Sequence, residues 1–286
     1  MLNYRGVTDV NRCIVANLHK IPAEVGMVVG VPRDGMIVGG LIAAYLNLPL
    51  ADLNSFMEAK VFTDPTYTFG KFSNNQKKVL VVDDFINFGT TIKNVKEKLA
   101  LAGINTDNII FLSVYAASKK KAEKVDMYFE VVPMHRILEW NVMHHPFLRY
   151  ACVDIDGVLC RNPSATEDDD GEKYLKFIRE VGPYINPGYP IGILVTCRLE
   201  KYRAETEEWL EKNNIRYKKL IMMDLPSKKA RGKVSRSDYK AEIYSNTDTL
   251  LFIESNAKQA KEIADKTGKP VFCVSDHNFY SSREAR

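Results

Sequence analysis

The amino-acid sequence predicts an α/β protein of two doubly wound domains, each built on a mainly parallel sheet. Three observations carry that prediction. Short β-rich runs alternate with helical patterns along the chain, the order that sets parallel strands side by side. Two apolar runs stop at paired acids followed by a glycine turn: Val79-Leu80-Val81-Val82 meets Asp83-Asp84 ahead of Gly89-Thr90-Thr91, and Cys152-Val153 meets Asp154-Ile155-Asp156-Gly157. Open α/β sheets place their chemistry at that carboxyl edge. Finally, 286 residues are long for one such domain and suit two of roughly 145 each. A domain of that size buries roughly 68–70% of its unfolded surface, enough for its own core.

The elements follow in order. Val10, Cys13, Ile14, Ala16 and Leu18 lie on one side of an amphipathic helix over 7–20. Met27-Val28-Val29 reads as a buried strand ending in Gly30-Val31-Pro32-Arg33-Asp34-Gly35, with a small-residue helix from Met36 to Leu46 and a short strand from Leu50 to Leu53. From Asn54 to Lys78 the chain is polar and aperiodic, which predicts a mobile loop with a hairpin. Strand 79–82, helix 90–102, and β-rich runs Ile109–Tyr115 and Val125–Val132 complete the first half. Residues 131–149 gather Met134, His135, Trp140, Met143, His144, His145 and two prolines. They read equally as a packed boundary segment or as a lid for a flat ring. The pattern restarts at Tyr150, with strands at 150–154, 191–195, 218–222, 250–253 and 270–274. Helices near 172–181, 200–213, 239–245 and 256–267 alternate with them. Domains of 1–148 and 149–286 are therefore expected.

Composition narrows the class. With 45% hydrophobic and 27% charged residues and no low-complexity tract, the chain reads as an ordinary folded protein. A net charge of +4 is too small to argue for nucleic acid by itself. Five scattered cysteines, an odd number, fit reduced thiols in a cytoplasmic setting. Neither a leader nor an apolar run of ~18 residues is evident, so no membrane partner is expected.

The first acid pair has a definite chemistry. A helix N-terminus with open backbone N–H groups and two hydroxyls, Thr90 and Thr91, cradles a phosphate. Acids just before it accept hydrogen bonds from a diol or hold magnesium. A phosphorylated sugar satisfies both halves; the alternative is a strand end capped by Asp with glycine in a tight turn. Residues 79–91 resemble the phosphoribosyl diphosphate motif of type I phosphoribosyltransferases, and Val31–Gly35 resembles their pyrophosphate loop. The resemblance covers about residues 7–148. It implies that Asp83 and Asp84 grip the ribose hydroxyls and that the turn Asn87, Phe88, Gly89, Thr90 and Thr91 takes the 5′-phosphate. Arg33 and the backbone at Asp34 and Gly35 would meet the pyrophosphate, with a cis peptide at Pro32–Arg33. Segment 54–78 would close over the reaction and 131–149 would form a hood over the acceptor base. Two departures stand out. Asn87 replaces the acid that usually assists the acceptor, and Phe88 replaces the usual phosphate-binding threonine. Asparagine takes no proton at neutral pH, so the acceptor would be unusual, already nucleophilic, or absent.

The second acid pair suits in-line phosphoryl transfer, which needs a nucleophile, a proton donor and a cation. Asp154 can attack phosphorus, Asp156 can protonate the leaving oxygen and then activate water, and Gly157 lets the turn leave the strand. Thr196, Lys240 and Glu254 follow at later element ends, as hydrogen-bond donor to the phosphoryl oxygens, charge neutraliser and acidic metal ligand. This order resembles the haloacid dehalogenase superfamily over residues 150–280. The resemblance implies magnesium held by Asp154, the Asp156 backbone carbonyl and Glu254. Ser255 and Asn256 stand where the family commonly has a second acid, so Asn256 or water would fill that place. Lys228, Lys229 and Lys233 are rivals for Lys240. The stretch from Asp154 to Thr196 is too short for a large cap domain. Glu167-Asp168-Asp169-Asp170 reads as a solvated loop and helix start. Lys228 to Lys233 with Arg236 reads either as a solvated loop or as an attractor for a phosphorylated substrate or nucleic-acid end, although no aromatic residues interleave there.

Together these motifs lead to the expectation of a bifunctional enzyme of nucleotide or nucleoside metabolism. Phosphoribosyl diphosphate, a base-like acceptor and a phosphomonoester, conceivably the nucleotide just formed, would be its small-molecule partners. A second copy of the chain is an admissible partner, and nucleic acid is less favoured. The rival readings are a non-catalytic phosphoribosyl diphosphate sensor regulating the phosphatase, and a capless phosphatase of nucleic-acid ends.

Overall fold

The structure, a computed structural model, describes residues 2–60 and 78–281. It divides into two compact units, one spanning Asn3–Arg136 and the other beginning at Ile137.

Among the described residues of the first unit, five strands form one parallel sheet in the order Leu50–Asp52, Val25–Gly30, Lys78–Ile86, Ile109–Ala116, Met127–Val131. Gly30 pairs with Val82, and Asp83 with Ser113, so the two glycine-bearing loops leave the same carboxyl edge. Helix Thr90–Leu101 turns Ile92, Val95 and Leu99 onto Val29, Val81 and Phe111. That three- and four-residue spacing is the apolar stripe of a surface helix, and burying each such side chain contributes about 1.5–3 kcal/mol.

The central strand runs past its expected end at Val82. Phe85 pairs with Tyr115 and Ile86 with Ala116, so the ladder continues through the acid pair and holds both acids inside a strand. The expected helix 7–20 ends at Asn17 and gives way to a tight turn over Leu18–Lys20. Where the sequence reads as loop from Asn54, a short helix Leu53–Met57 forms, because the Asp52 carboxylate accepts the Asn54 and Ser55 N–H groups. Residues 61–77 of the expected closing loop and hairpin lie outside the described residues. Pro32–Arg33 is cis, as the resemblance implied, and so is Met134–His135.

The second unit carries a six-stranded sheet in the order Tyr217–Met223, Ile191–Leu199, Ala151–Val153, Leu251–Glu254, Val271–Cys273, Asn278–Tyr280. The first five run parallel and the last is antiparallel. Helix Arg236–Ser245 begins ahead of its expected start at 239, because Ser235 Oγ accepts the Asp238 N–H. Helix Ala257–Thr267 buries Ala260, Ile263 and Ala264 against Phe252 and Val271, and ends at Gly268 in the left-handed conformation.

The division between units precedes the expected boundary at 148. Residues 137–148 carry the turns Glu139–His144 and Pro146–Tyr150, with Val142, Met143, Phe147 and Leu148 buried. The Gly188 N–H donates to the Met143 carbonyl, which ties this stretch to the second unit. The expected hood 131–149 is thus divided between the two units. No helix among the described residues is long and apolar enough to cross a membrane.

Candidate active sites

In the first unit, Asp83 and Asp84 lie buried at the end of the central strand, the Asp84 N–H donating to Asp83 Oδ1 at 3.1 Å. Burial pushes the Asp83 carboxyl up to about 6. Burial, with the charges of Asp83 and Asp34 beside it, pushes Asp84 up to about 8. Two acids in this state are starved of donors, which is what a ribose diol or a cation supplies. Helix Gly35–Leu46 comes so close that a Cβ at Gly35 would stand 2.6 Å from the Val82 carbonyl oxygen. That glycine is therefore required for packing, beyond the pyrophosphate contact expected of its backbone. Val31 and Pro32 from one loop share a cavity of about 280 Å³ with Thr91 and Asn94 from helix Thr90–Leu101. Of the two expected phosphate-handling motifs, Val31, Pro32 and Thr91 line this space.

Other expected residues are placed differently. Arg33 forks onto its own neighbour, Nε to Asp34 Oδ1 at 2.6 Å and Nη2 to Oδ2 at 3.1 Å, so it must turn away from Asp34 to meet a pyrophosphate. Asn87 is half-buried, while Phe88 is 67% exposed with Lys121 Nζ 5.1 Å from its ring centroid. Gly89 caps the helix opened by Thr90 and Thr91, both exposed. Two cations that sequence reasoning missed lie beside this turn and strand. Lys124 Nζ donates to the Phe88 carbonyl, and the Arg136 guanidinium rests 3.8 Å above the Phe85 ring. Lys124 lay hidden in the basic run 119–124; Arg136 had no local signal.

In the second unit, strand Ala151–Val153 runs between Leu251–Glu254 and Ile191–Leu199, and the Asp154 N–H continues the ladder to the Ile253 carbonyl. Lys240 Nζ stands between two carboxylates, 2.7 Å from Asp154 Oδ2 and 2.6 Å from Glu254 Oε2, with Gln259 Oε1 at 3.2 Å. All three charged groups are buried. Burial alone would lower the Lys240 pKa, but Asp154 and Glu254 outweigh it and the ammonium is held on. Burial pushes Asp154 up to about 7 against the pull of Lys240. Lys228, the expected rival, instead pairs with Asp168.

Arg198 is the main residue the sequence reading missed. Fully buried, it forks onto Asp156, with Nη2 2.7 Å from Oδ1 and Nε 3.1 Å from Oδ2. An Asp156 that serves a leaving group has to release this clamp on one oxygen. The available signal was an arginine interrupting the apolar run Ile191–Leu199. Thr196 is buried and its Oγ accepts the Arg198 N–H at 3.2 Å; its neighbour Cys197 lines the cavity instead. That cavity, about 310 Å³, is also lined by Asp154, Asp156, Lys240, Glu254 and Asn256.

The acidic and basic runs, expected as solvated loops, neutralise each other. Arg231 Nη2 reaches both Asp168 oxygens at 2.7 and 2.8 Å, and the Lys228 N–H donates to Asp170 Oδ2 at 2.9 Å. Two of the five cations of the basic stretch are thereby paired inside the unit.

The model of the phosphoribosyl transferase domain matches residues 4–150, just over half of the chain. The chain belongs to the phosphoribosyl transferase domain family. Residues 4–150 therefore form a transferase-family domain. Solved structures that resemble it include a purine phosphoribosyltransferase from Pyrococcus horikoshii, 19% identical over 49% of this chain and 93% of that one, with a TM-score of 0.36. A xanthine-guanine-hypoxanthine phosphoribosyltransferase from Helicobacter pylori is 16% identical over 50% and 93%, at 0.37. An orotate phosphoribosyltransferase from Aeropyrum pernix is 19% identical over 43% and 70%, at 0.30. Likenesses this faint say nothing about substrate. No curated protein matches the chain.

Family membership brings the question of magnesium to the first unit, and the acids Asp154, Asp156 and Glu254 bring it to the second. Among the described residues no three His, Cys, Asp or Glu side chains are grouped to hold a metal ion. In the second unit the Asp156 side chain is turned to Arg198, which leaves Asp154, Glu254 and the Asp156 backbone carbonyl, the last accepting the Ser255 hydroxyl at 3.3 Å. Those are hard oxygen donors at one cavity, and magnesium keeps several waters when so few protein ligands are offered; the set fits. Asn256 lines the cavity, and its Oδ1 accepts the Gln259 N–H as a helix cap, with one lone pair left on that oxygen. The Ser255 and Asn256 N–H groups fix Glu254 Oε1, at 2.9 and 3.1 Å.

Gly157 offers a direct test of this geometry. Its φ is +87°, and an added Cβ would overlap Ser255 Oγ and Asn162 Nδ2. Gly157→Ala is expected to lower stability by at least ~1 kcal/mol, since neither the backbone angle nor the space accepts a methyl group. Thermal melting checks it; an unchanged midpoint would mean that the turn relaxes freely.

Proposed function

We propose that the chain is a bifunctional enzyme. The first unit transfers phosphoribose from phosphoribosyl diphosphate to a base-like acceptor, and the second hydrolyses a phosphomonoester through an aspartyl-phosphate. The observation that carries the second half is Lys240, buried between Asp154 and Glu254 at the carboxyl edge of a parallel sheet. A buried cation between two acids keeps a carboxylate oxygen ready to attack where an isolated buried acid would take up a proton. Family membership and the buried pair Asp83 and Asp84 support the first half.

In the hydrolytic reading, an Asp154 oxygen attacks phosphorus, and the bond to the ester oxygen breaks. The leaving oxygen takes a proton, delivered by Asp156 after release from Arg198 or by water. A water then attacks the same phosphorus, phosphate departs, and Asp154 returns as carboxylate. Magnesium, bound by Asp154, Glu254 and the Asp156 carbonyl, would offset charge on the phosphoryl oxygens. In the transfer reading, the ribose C1–oxygen bond to pyrophosphate breaks as an acceptor nitrogen bonds C1. The acceptor proton goes to solvent, since Asn87 cannot take it.

A second reading of the first unit, binding without transfer, is favoured by Asn87 and by the exposed Phe88 in the phosphate turn. One experiment separates the two. Protein with phosphoribosyl diphosphate, magnesium and a panel of bases is expected to release pyrophosphate with at least one base. Thermal stabilisation by phosphoribosyl diphosphate without pyrophosphate release from any base would instead establish a sensor. The nucleic-acid-end reading keeps Lys229, Lys233 and Arg236 as its cations, since Arg231 and Lys228 are paired with Asp168.

A further inference from the structure

The second unit holds a cavity that the phosphoryl chemistry leaves unused. It measures about 860 Å³ and is lined by Trp140, Met143, Val158, Tyr184 and Phe272, with His144 at its wall. That volume lies in the range of small-molecule sites, roughly 300–1,000 Å³.

Its position is set by the catalytic turn. Gly157 and Val158, directly after Asp156, form part of its lining. Gly157 also abuts Ser255 and Asn162, which line the polar cavity around Asp154. A second wall, Val274 and Ser275, continues from strand Val271–Cys273, and the Val274 N–H donates to the Glu254 carbonyl at 2.9 Å. The apolar space is thus bounded by the chain segments that carry Asp156 and Glu254, with the Gly157 turn and the Ser255 and Asn162 side chains packed on it toward the polar cavity.

The two cavities have opposite chemistry. The polar one presents Asp154, Asp156, Asp168 and Glu254 against Lys240 and Arg231, and an apolar ring placed there would strip water from charges without replacing it. The other offers Trp, Tyr and Phe rings, which stack on flat faces, and imidazole edges that can hydrogen-bond ring heteroatoms. The Ser255 and Asn162 side chains pack against Gly157 on the polar side, so a substrate that reaches both cavities has to pass these two side chains.

We infer that this cavity receives the planar ring of the leaving group, so that the second unit acts on monophosphates of ring-bearing alcohols, the nucleoside monophosphate class, in preference to simple alkyl or sugar phosphates. The inference rests on the hydrolase reading of the unit. It gives the segment around Trp140 a role inside the second unit.

Fluorescence provides a readout independent of turnover. The chain has two tryptophans; Trp209 is buried, with its Nε1 donating to the Val181 carbonyl at 2.6 Å, so ligand-dependent quenching reports Trp140. Adenosine 5′-monophosphate is expected to quench saturably, and glycerol 3-phosphate is not. Quenching should persist in Asp83→Asn/Asp84→Asn, which removes the first unit's diol contacts. The KM for adenosine 5′-monophosphate should lie about tenfold below that for glycerol 3-phosphate, the size of one good ring-stacking contribution. Tyr184→Ala, at a position 66% exposed and so tolerant of truncation, should shrink that ratio, and Ser275→Trp, which narrows the cavity, should shrink it as well. Equal KM values in the wild type, absent quenching, or quenching lost in the Asp83/Asp84 variant would overturn the inference. Quenching without hydrolysis of either ester would overturn the hydrolase reading and still support the ring cavity.

Discussion

Asp154→Asn is expected to remove magnesium-dependent phosphomonoester hydrolysis, by a factor on the order of 10³ or more, while the second unit stays folded. The carboxamide matches the carboxylate in shape but is a poor nucleophile, so no aspartyl-phosphate forms. Lys240 keeps Glu254 and Gln259 as partners in this variant, so no buried charge is orphaned. Lys240→Met should behave differently. It leaves Asp154 and Glu254 facing each other without a cation, and breaking a buried pair from one side costs about 3–5 kcal/mol. Activity and melting temperature therefore separate the two substitutions: the first loses turnover alone, the second loses turnover and stability together. The pH profile adds a sign. Burial raises the Asp154 carboxyl to about 7 in the metal-free protein, so magnesium binding, which needs its carboxylate, should tighten as pH rises through neutrality, and calorimetric titration with magnesium checks it. Wild-type turnover in Asp154→Asn would remove this residue from the mechanism.

Asp83→Asn with Asp84→Asn is expected to have two opposite effects. Without ligand, the variant should be more stable than wild type above neutral pH. Both acids have folded pKa values, about 6 and about 8, above the usual 3.8. The folded state therefore binds more protons than the unfolded chain between those limits, and wild-type stability falls as pH rises through them. Below about pH 4 both acids are protonated in either state and the ionisation term vanishes. From there the advantage of the variant should grow to its full value above pH 8, reaching several kcal/mol in free energy and at least several degrees in melting temperature. With phosphoribosyl diphosphate and magnesium only the wild type should gain stability, which narrows the gap. Ligand at 100 times its Kd stabilises a native state by ~2.7 kcal/mol, and only the wild type has carboxylates to accept the ribose hydroxyls. Parallel melting-against-pH curves for the two proteins would show that these acids are not strained by burial. A ligand-induced shift surviving in the variant would show that they do not hold the diol.

What could be read from the sequence had a local cause. An apolar run ending in acids and glycine specifies a strand and its carboxyl edge from neighbouring residues alone, and so Asp83, Asp84, Asp154 and Asp156 were all found. Lys240 and Glu254 were reachable because chain order in a parallel sheet brings successive strand ends to one edge. The exact reach of strand Lys78–Ile86 was not, since pairing with Tyr115 and Ala116 extends it past a polar pair that reads as a stop.

Partnerships between charges proved to be another matter. Arg198 answers to Asp156 across 42 positions and Arg231 to Asp168 across 63, and nothing near either arginine announces its carboxylate. The acidic and basic runs each looked solvated because each lacks a partner in its own vicinity. Trp140 was read with the domain that precedes it, yet its segment packs into the unit that follows. The sequence by itself determined the two parallel sheets and the acids at their edges, because strand periodicity and turn chemistry act over a few residues. Tertiary structure decided which charges neutralise which, which carboxylates stay available for chemistry, and where an apolar cavity opens beside them. Those outcomes depend on burial and on distances between residues far apart in the chain, and are settled only when the sheet has assembled.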